Sequence, residues 1–225
     1  MIDLAMPGLV YRDKGHSYTH DGESLTSVTK MLAQFAPFDR DKRAKISARK
    51  EGVTVDEIKE RWRESGRAGT RVHAYAEKVA FGLNPTASHP KEAAVDLFWQ
   101  VHKPEPVSVE AAICWPKHGL GGTLDLLAKM DGLAWLLDYK TDANWWYALR
   151  DNLEPPVDHL AAGNYSKHVL QQSTYRAMLE QPFYNELIGP IDRMGLVALH
   201  DDGTFTLRPL VYLRAEVDDM MEAKE

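Results

Sequence analysis

The chain has 225 residues, 44% of them hydrophobic and 27% charged, with a formal net charge of −6. That supplies a sizeable core without covalent staples and predicts one domain over residues 1–225, with a hairpin and helical region in 1–104 and a core of sheet and helices in 105–225. The acidic balance excludes a protein that coats nucleic acid by bulk electrostatics, but not an enzyme with a local basic patch and an acidic, metal-filled centre.

Residues 10–32 read as a hairpin turning near Asp21-Gly22, followed by a helix capped by Thr26 or Ser27. Residues 39–51 form a helix-competent segment, and within it residues 40–50 carry six basic side chains and one acid, either a solvated face or a phosphate-contacting wall. Thr54 and Glu57 have capping-box spacing and open a helix running through Trp62. Gly66-Arg-Ala-Gly-Thr70 predicts a break, with a further helix over about 70–81 whose apolar positions Val72, Tyr75, Ala76 and Val79 have helical spacing. Residues 91–102 form another amphipathic helix.

The period then changes to two, and residues 107–115, 123–130 and 133–139 read as three consecutive antiparallel strands. Cys114, in the first of them, is the chain's one cysteine, which excludes an intrachain disulfide and a four-cysteine metal cluster and suits a small buried hydrophobe. Residues 144–163 look irregular, 165–180 helical, and 192–200 with 204–213 form a closing hairpin around Asp202-Gly203. The expected fold is mixed α/β (α+β): a central sheet built on a three-strand meander and flanked by helices. No apolar run approaches the roughly 18 residues of a membrane span, and no basic start leads into an apolar segment, so a soluble, intracellular protein is expected.

Asp131-Gly132 between two strand-like runs is a strong signal for a two-residue turn with positive φ at both positions. Such a turn sets Asp125 directly opposite Asp138, where like charges repel. Lys140 projects to the same face as Asp138, while Leu124, Leu126, Leu137 and Tyr139 are expected on the other. Spacing alone leaves two readings: a salt-bridged trio, contributing about 0–1 kcal/mol at a surface, or a site for a hard divalent cation that needs both carboxylates ionised.

Gly122-Thr-Leu-Asp125 followed by Asp138-Tyr-Lys140 resembles the paired acids and lysine of the PD-(D/E)XK nuclease superfamily. Gly69-Thr-Arg-Val-His73-Ala-Tyr-Ala-Glu77 is similar to the G-x-x-x-H-x-x-x-E motif of its RecB-like exonuclease branch, and Gln171-Gln-Ser-Thr-Tyr175 to that branch's Q-x-x-x-Y motif. His16-x-Tyr18 with Leu25-Thr-Ser-Val-Thr29 resembles small phage and mitochondrial members. The four motifs stand in the family's order over about residues 9–179. Asp138 replaces the commoner Glu, in the Asp-x-Lys form usual for the branch.

The resemblance implies a restriction-endonuclease-like core. It also implies one or two Mg²⁺ or Mn²⁺ ions on His73, Asp125, Asp138 and the Tyr139 carbonyl, with Lys140 at the attacking water. Gln171 and Tyr175 would contact the DNA backbone or position Lys140; Glu77 and Glu110 are further acidic candidates. Ser27, Thr29, Arg40, Lys42, Arg43 and Lys45 would contact phosphates, and Trp145 and Trp146 would stack on bases or else anchor their loop. The implied activity is a metal-dependent DNA exonuclease of phage replication, recombination or DNA repair, working in the cytoplasm (the host's, for a phage-encoded chain) on DNA ends. A recombination or single-strand-binding protein is a natural partner. The alternatives are a structure-selective endonuclease for flaps or branches, and a non-catalytic nucleic-acid-binding module. The cysteines of an iron–sulfur cluster and the phosphate loop of an ATP motor are absent from the sequence.

Overall fold

The computed structural model of the protein describes all residues except Lys14, Pro37, Phe38, Ala143, Asn144, Tyr147, Lys224 and Glu225. In chain order the elements are β1 (Leu9–Arg12), β2 (Ser17–His20), β3 (Glu23–Ser27), α1 (Val28–Phe35), α2 (Arg40–Glu51), α3 (Val55–Ala80) and α4 (Pro90–His102). There follow β4 (Glu105–Trp115), β5 (Leu120–Met130), β6 (Leu133–Lys140), β7 (Ala148–Asn152), β8 (Ala161–Gly163), α5 (Asn164–Leu179), α6 (Pro182–Ile188), β9 (Arg193–Leu199), β10 (Phe205–Pro209) and α7 (Arg214–Glu222).

Eight strands make one mixed sheet in the order β1-β2-β3-β5-β6-β9-β10, with β4 paired to β5. β3 with β5 and β6 with β9 run parallel, and the remaining pairs are antiparallel. Side-chain alternation divides the core between the two faces. Leu127 and Leu136 face a layer that includes Val28 and Met31 of α1, Leu170 and Met178 of α5, and Met220 of α7. Leu126, Leu137 and Tyr139 face Val72, Tyr75 and Ala76 of α3 and Val95 and Phe98 of α4. The result is a helix–sheet–helix sandwich, and no helix among the described residues is long and apolar enough to cross a membrane.

Local chemistry sets several boundaries as the sequence leads one to expect. Ser27 caps α1, its Oγ accepting from Lys30 N–H; Asp39 caps α2, which ends at Gly52 in the left-handed conformation. Thr54 and Glu57 form a full capping box on α3. The turn between β5 and β6 is the two-residue kind: Asp131 and Gly132 have φ of 51° and 76°, and Met130 pairs with Leu133. The ladder runs to Leu126↔Leu137, the register that sets Asp125 against Asp138.

Five expectations are corrected. Residues 66–70 do not break the chain: α3 is one 26-residue helix. Each glycine costs a helix interior about 1 kcal/mol, but α3 is held at both ends. Its amino-terminal half packs Ile58 and Trp62 against Ala44 and Ala48 of α2, and its carboxy-terminal half packs on the sheet. The amino-terminal hairpin turns at Asp21-Gly22 as expected, between β2 and β3, but β1 pairs with β2 as a further outer strand that was not expected. The stretch taken as irregular pairs β7 with β8; its first residue, Asn144, lies outside the described residues. After β10, which ends at Pro209, the chain forms α7, and α6 fills the segment after α5; neither helix was expected. Finally, Leu124 joins the α1/α5 core whereas Leu126 joins the α3/α4 core, so strict alternation fails at Asp125.

That failure coincides with a gap in the sheet. One edge of β5 is covered by β4 from Leu120 to Lys129. The other edge meets β3 at Leu120 and Gly121 and β6 only from Leu126 onward. Gly122, Thr123, Leu124 and Asp125 therefore face a fork between two strands, with no ladder partner on that edge among the described residues.

Candidate metal centre

The fork is lined by side chains from four directions. Asp125 turns its carboxylate across the mouth, where Oδ2 accepts from the Tyr139 backbone N–H at 2.8 Å in place of a strand–strand bond. On the other side of β5, Val109 pairs with Leu126 and Ala111 with Leu124, so Glu110 stands opposite Asp125. Glu110 has φ of 44°, a left-handed conformation within a strand. For a side chain of this kind it costs on the order of 1–3 kcal/mol and persists only where the surroundings impose it. Val109 and Ala111 pack on opposite faces as a result, breaking alternation in β4 beside the break in β5.

His73, on the sheet-facing side of α3, completes the group. Its Nδ1 lies 3.3 Å from Asp125 Oδ2 and 3.6 Å from Glu110 Oε1. Donor atoms of His73, Glu110 and Asp125 all fall within 4.8 Å of one another. The Asp125 carboxylate, ahead of other influences, pushes the His73 pKa up to about 9 despite burial. Burial raises the pKa of Asp125, opposed chiefly by His73. An imidazole and two carboxylates at this separation could hold a divalent metal ion.

Of the expected ligands His73, Asp125, Asp138 and the Tyr139 carbonyl, the tight donor group holds His73 and Asp125 together with the candidate Glu110, and Asp138 stands beside it in an ion pair. Asp138 is 4% exposed and ion-paired through Oδ2 with Lys140 Nζ at 2.6 Å. The same oxygen makes no hydrogen bond of normal geometry. Burial raises the Asp138 pKa, Lys140 opposes this, and the Asp125 charge adds to it, so the two aspartates remain neighbours. Glu77 is half-buried one turn beyond His73 and outside the donor group. Tyr139 is tied in by its N–H, while its ring is buried between His73 and Phe98, its hydroxyl accepting from Trp99 Nε1.

The floor of the fork explains Gly121-Gly122. A Cβ on Gly121 would lie 2.7 Å from the Tyr18 ring, and one on Gly122 2.4 Å from the Tyr175 ring. Tyr18 donates to or accepts from Thr123 Oγ1 at 2.9 Å, and His16 contacts the Tyr11 hydroxyl. Tyr175 is buried; burial first, then the charges of Tyr18, Asp138 and Asp125, raise its pKa. Gln171 Nε2 lies 3.5 Å from the Tyr175 hydroxyl and 3.4 Å from Thr29 Oγ1, linking α5 to α1. Ser27 is occupied as a helix cap.

No family model matches the chain, and no curated protein matches it.

Other predicted contact residues divide. Arg40 lies over the Trp62 ring at 5.8 Å, and Lys42 and Lys45 line a shallow cavity of about 380 Å³ with Arg49, Asp39 and Asp41. Arg43 is close enough to Lys167 on α5 for its charge to add to burial in lowering the lysine's pKa, which brings α2 toward the helix bearing Gln171. Trp145 is an anchor, buried against Leu196 and Ala198, whereas Trp146 is 61% exposed; Tyr147 lies outside the described residues. His168 was missed. It precedes Gln171 by three residues and Tyr175 by seven, a helical stripe visible in the sequence.

Proposed function

We propose that the protein is a Mg²⁺- or Mn²⁺-dependent DNA exonuclease with a restriction-endonuclease-like core, of the RecB-like PD-(D/E)XK kind. The observation that carries this reading is the convergence, at one fork in the sheet, of the His73–Glu110–Asp125 donor group with the Asp138–Lys140 pair. A strained acidic residue and two adjacent carboxylates are costly features for a merely structural site.

In this reading His73, Glu110 and Asp125 hold the ion, with Asp138 beside them. When bound, it supplies a Lewis acid at the scissile phosphate and a lowered pKa for water. His73 must shed its proton before Nδ1 can donate. Lys140 places a compact positive charge where the attacking water and the developing phosphorane charge would lie. Gln171 and Thr29 offer neutral donors to a phosphate at the same mouth. The basic face of α2 and the exposed Trp146 provide the backbone and base contacts of a sequence-tolerant DNA path.

The test is cleavage of end-labelled single- and double-stranded DNA with Mg²⁺ or Mn²⁺ against chelator, for the parent and Asp125→Asn. Metal-dependent release of short products by the parent and not by the variant is expected. Intact DNA under all conditions, or equal cleavage by both proteins, overturns the proposal. Cutting of circular single-stranded DNA would replace the exonuclease with an endonuclease.

A further inference from the structure

Among the described residues, the buried side-chain polar atoms without a hydrogen-bond partner belong to three residues: Asp138 (Oδ2), His168 (Nε2) and Gln172 (Nε2 and Oε1). His168 and Gln172 are one turn apart on α5, which packs against β6, the strand carrying Asp138 and Lys140. Native interiors leave few such atoms, and each one requires a reason. His168, on the helix that packs against β6, lies within electrostatic reach of both Lys140 and Asp138.

The reason lies in what Lys140 does if Asp138 is needed elsewhere. At 2.6 Å the ammonium neutralises Asp138 as an ion pair on Oδ2, and a cation taking that oxygen would displace it. Once released, it needs another acceptor within a largely buried site, since an ammonium has donors only. We propose that His168 is a positioning residue for Lys140: its buried Nε2 accepts a hydrogen bond from Nζ when the Asp138 carboxylate engages a divalent cation. This rests on the metal reading above. The imidazole must be neutral to accept, the form that burial favours for a histidine. No bond is made or broken; one acceptor of the ammonium replaces another, and Lys140 stays at the site instead of turning to solvent.

The test is Mn²⁺ binding by calorimetry, without DNA, on the parent, His168→Met and His168→Gln, with thermal denaturation of the metal-free proteins. His168→Met removes an unpartnered polar atom from the interior, so the metal-free variant should melt at or above the parent's temperature while binding Mn²⁺ about tenfold more weakly, the usual effect of losing a group that supports a ligand. His168→Gln returns an acceptor to the Nε2 position and should restore the parent's affinity. In a Lys140→Met background the same His168→Met change should have no effect on affinity, because the partner is gone. Unchanged affinity in His168→Met, failure of His168→Gln to restore it, an undiminished effect without Lys140, or a parent that binds no Mn²⁺ each overturns the proposal. Coupled Mn²⁺ binding with no DNA cleavage would instead sink the nuclease reading and leave this one standing.

Discussion

Lys140→Met tests the energetic description of the centre. An exposed-face lysine could be removed at little cost, and the sequence leads one to expect just that. In the structure the Lys140 and Asp138 side chains are only 15% and 6% exposed, and Lys140 is the ion-pair partner of a carboxylate that lies against α5. Breaking a buried pair by removing one partner costs about 3–5 kcal/mol, because the other charge is stranded. Protonation sets a ceiling: the cost cannot exceed about 1.4 kcal/mol for each pH unit above an unfolded aspartate pKa of about 3.9. Near pH 8 that ceiling lies above 5 kcal/mol by this rule, so roughly 3 kcal/mol should be lost. Near pH 5 it falls to about 1.5 kcal/mol. The sign follows from the same linkage: without Lys140 the folded-state pKa of Asp138 rises further, so stability is retained below the unfolded value and lost as pH rises through the folded one. For a chain of this size the deficit in Tm should be about 6–12 °C near pH 8 and at most about half that near pH 5. The assay is thermal or urea denaturation in chelator, with Asp138→Asn/Lys140→Met as the control that should recover most of the loss. A deficit of the same size at both pH values, or none at either, would refute the stranded-charge account.

Glu110→Gly should leave stability unchanged or raise it, because glycine accepts a φ of 44° without strain, yet weaken Mn²⁺ binding at least tenfold or so in calorimetry; unaltered affinity would remove Glu110 from the donor group. The pKa of His73 is raised to about 9, chiefly by Asp125, so its contribution to the metal-free protein is fully present below about 6.5 and lost as pH rises through about 9. Melting in chelator should therefore fall across that window, and His73→Gln should flatten the fall. Trp146→Ala should weaken single-stranded DNA binding by about 1–3 kcal/mol in a fluorescence titration with little change in Tm, whereas Trp145→Ala should lower Tm by opening its contact with Leu196 and Ala198.

What the sequence made legible depends on whether the signal was local. The Asp131-Gly132 turn, the Thr54/Glu57 capping box and the strand character of β4, β5 and β6 are governed by neighbours within a few residues, and these stand as read, though alternation slips at Glu110 and Asp125. Continuity of α3 was hidden because its two glycines carry a local penalty that contacts with α2 and the sheet outweigh. The hairpin register was legible, but the direction of each carboxylate was not. Alternation predicts one face for Asp125 and Asp138, yet the coupled kinks at Glu110 and Asp125 aim Asp125 at His73 while Asp138 keeps to Lys140. Those kinks arise where β5 loses its neighbour on one edge, a non-local fact. His168 had a helical-spacing signal, and its meaning came only from the unmet nitrogen against β6.

These details give the centre a single logic of charge. Three carboxylates lie at the fork, Glu110 half-buried and Asp125 and Asp138 more deeply buried, with repulsion among their like charges. In the metal-free protein two side-chain cations oppose it: His73, protonated at neutral pH because Asp125 holds it so, and Lys140 on Asp138. Their two positive charges leave one negative charge unmet. A divalent cation with His73 deprotonated and Lys140 retained would bring the group to neutrality. On the proposed reading, the proton on His73 and the Lys140 charge on Asp138 balance the carboxylates in the metal-free protein, and only the His73 proton would have to leave for an ion to bind. Keeping Lys140 in place through that exchange, with Asp138 no longer its partner, is the task for which the neutral, buried His168 nitrogen is suited.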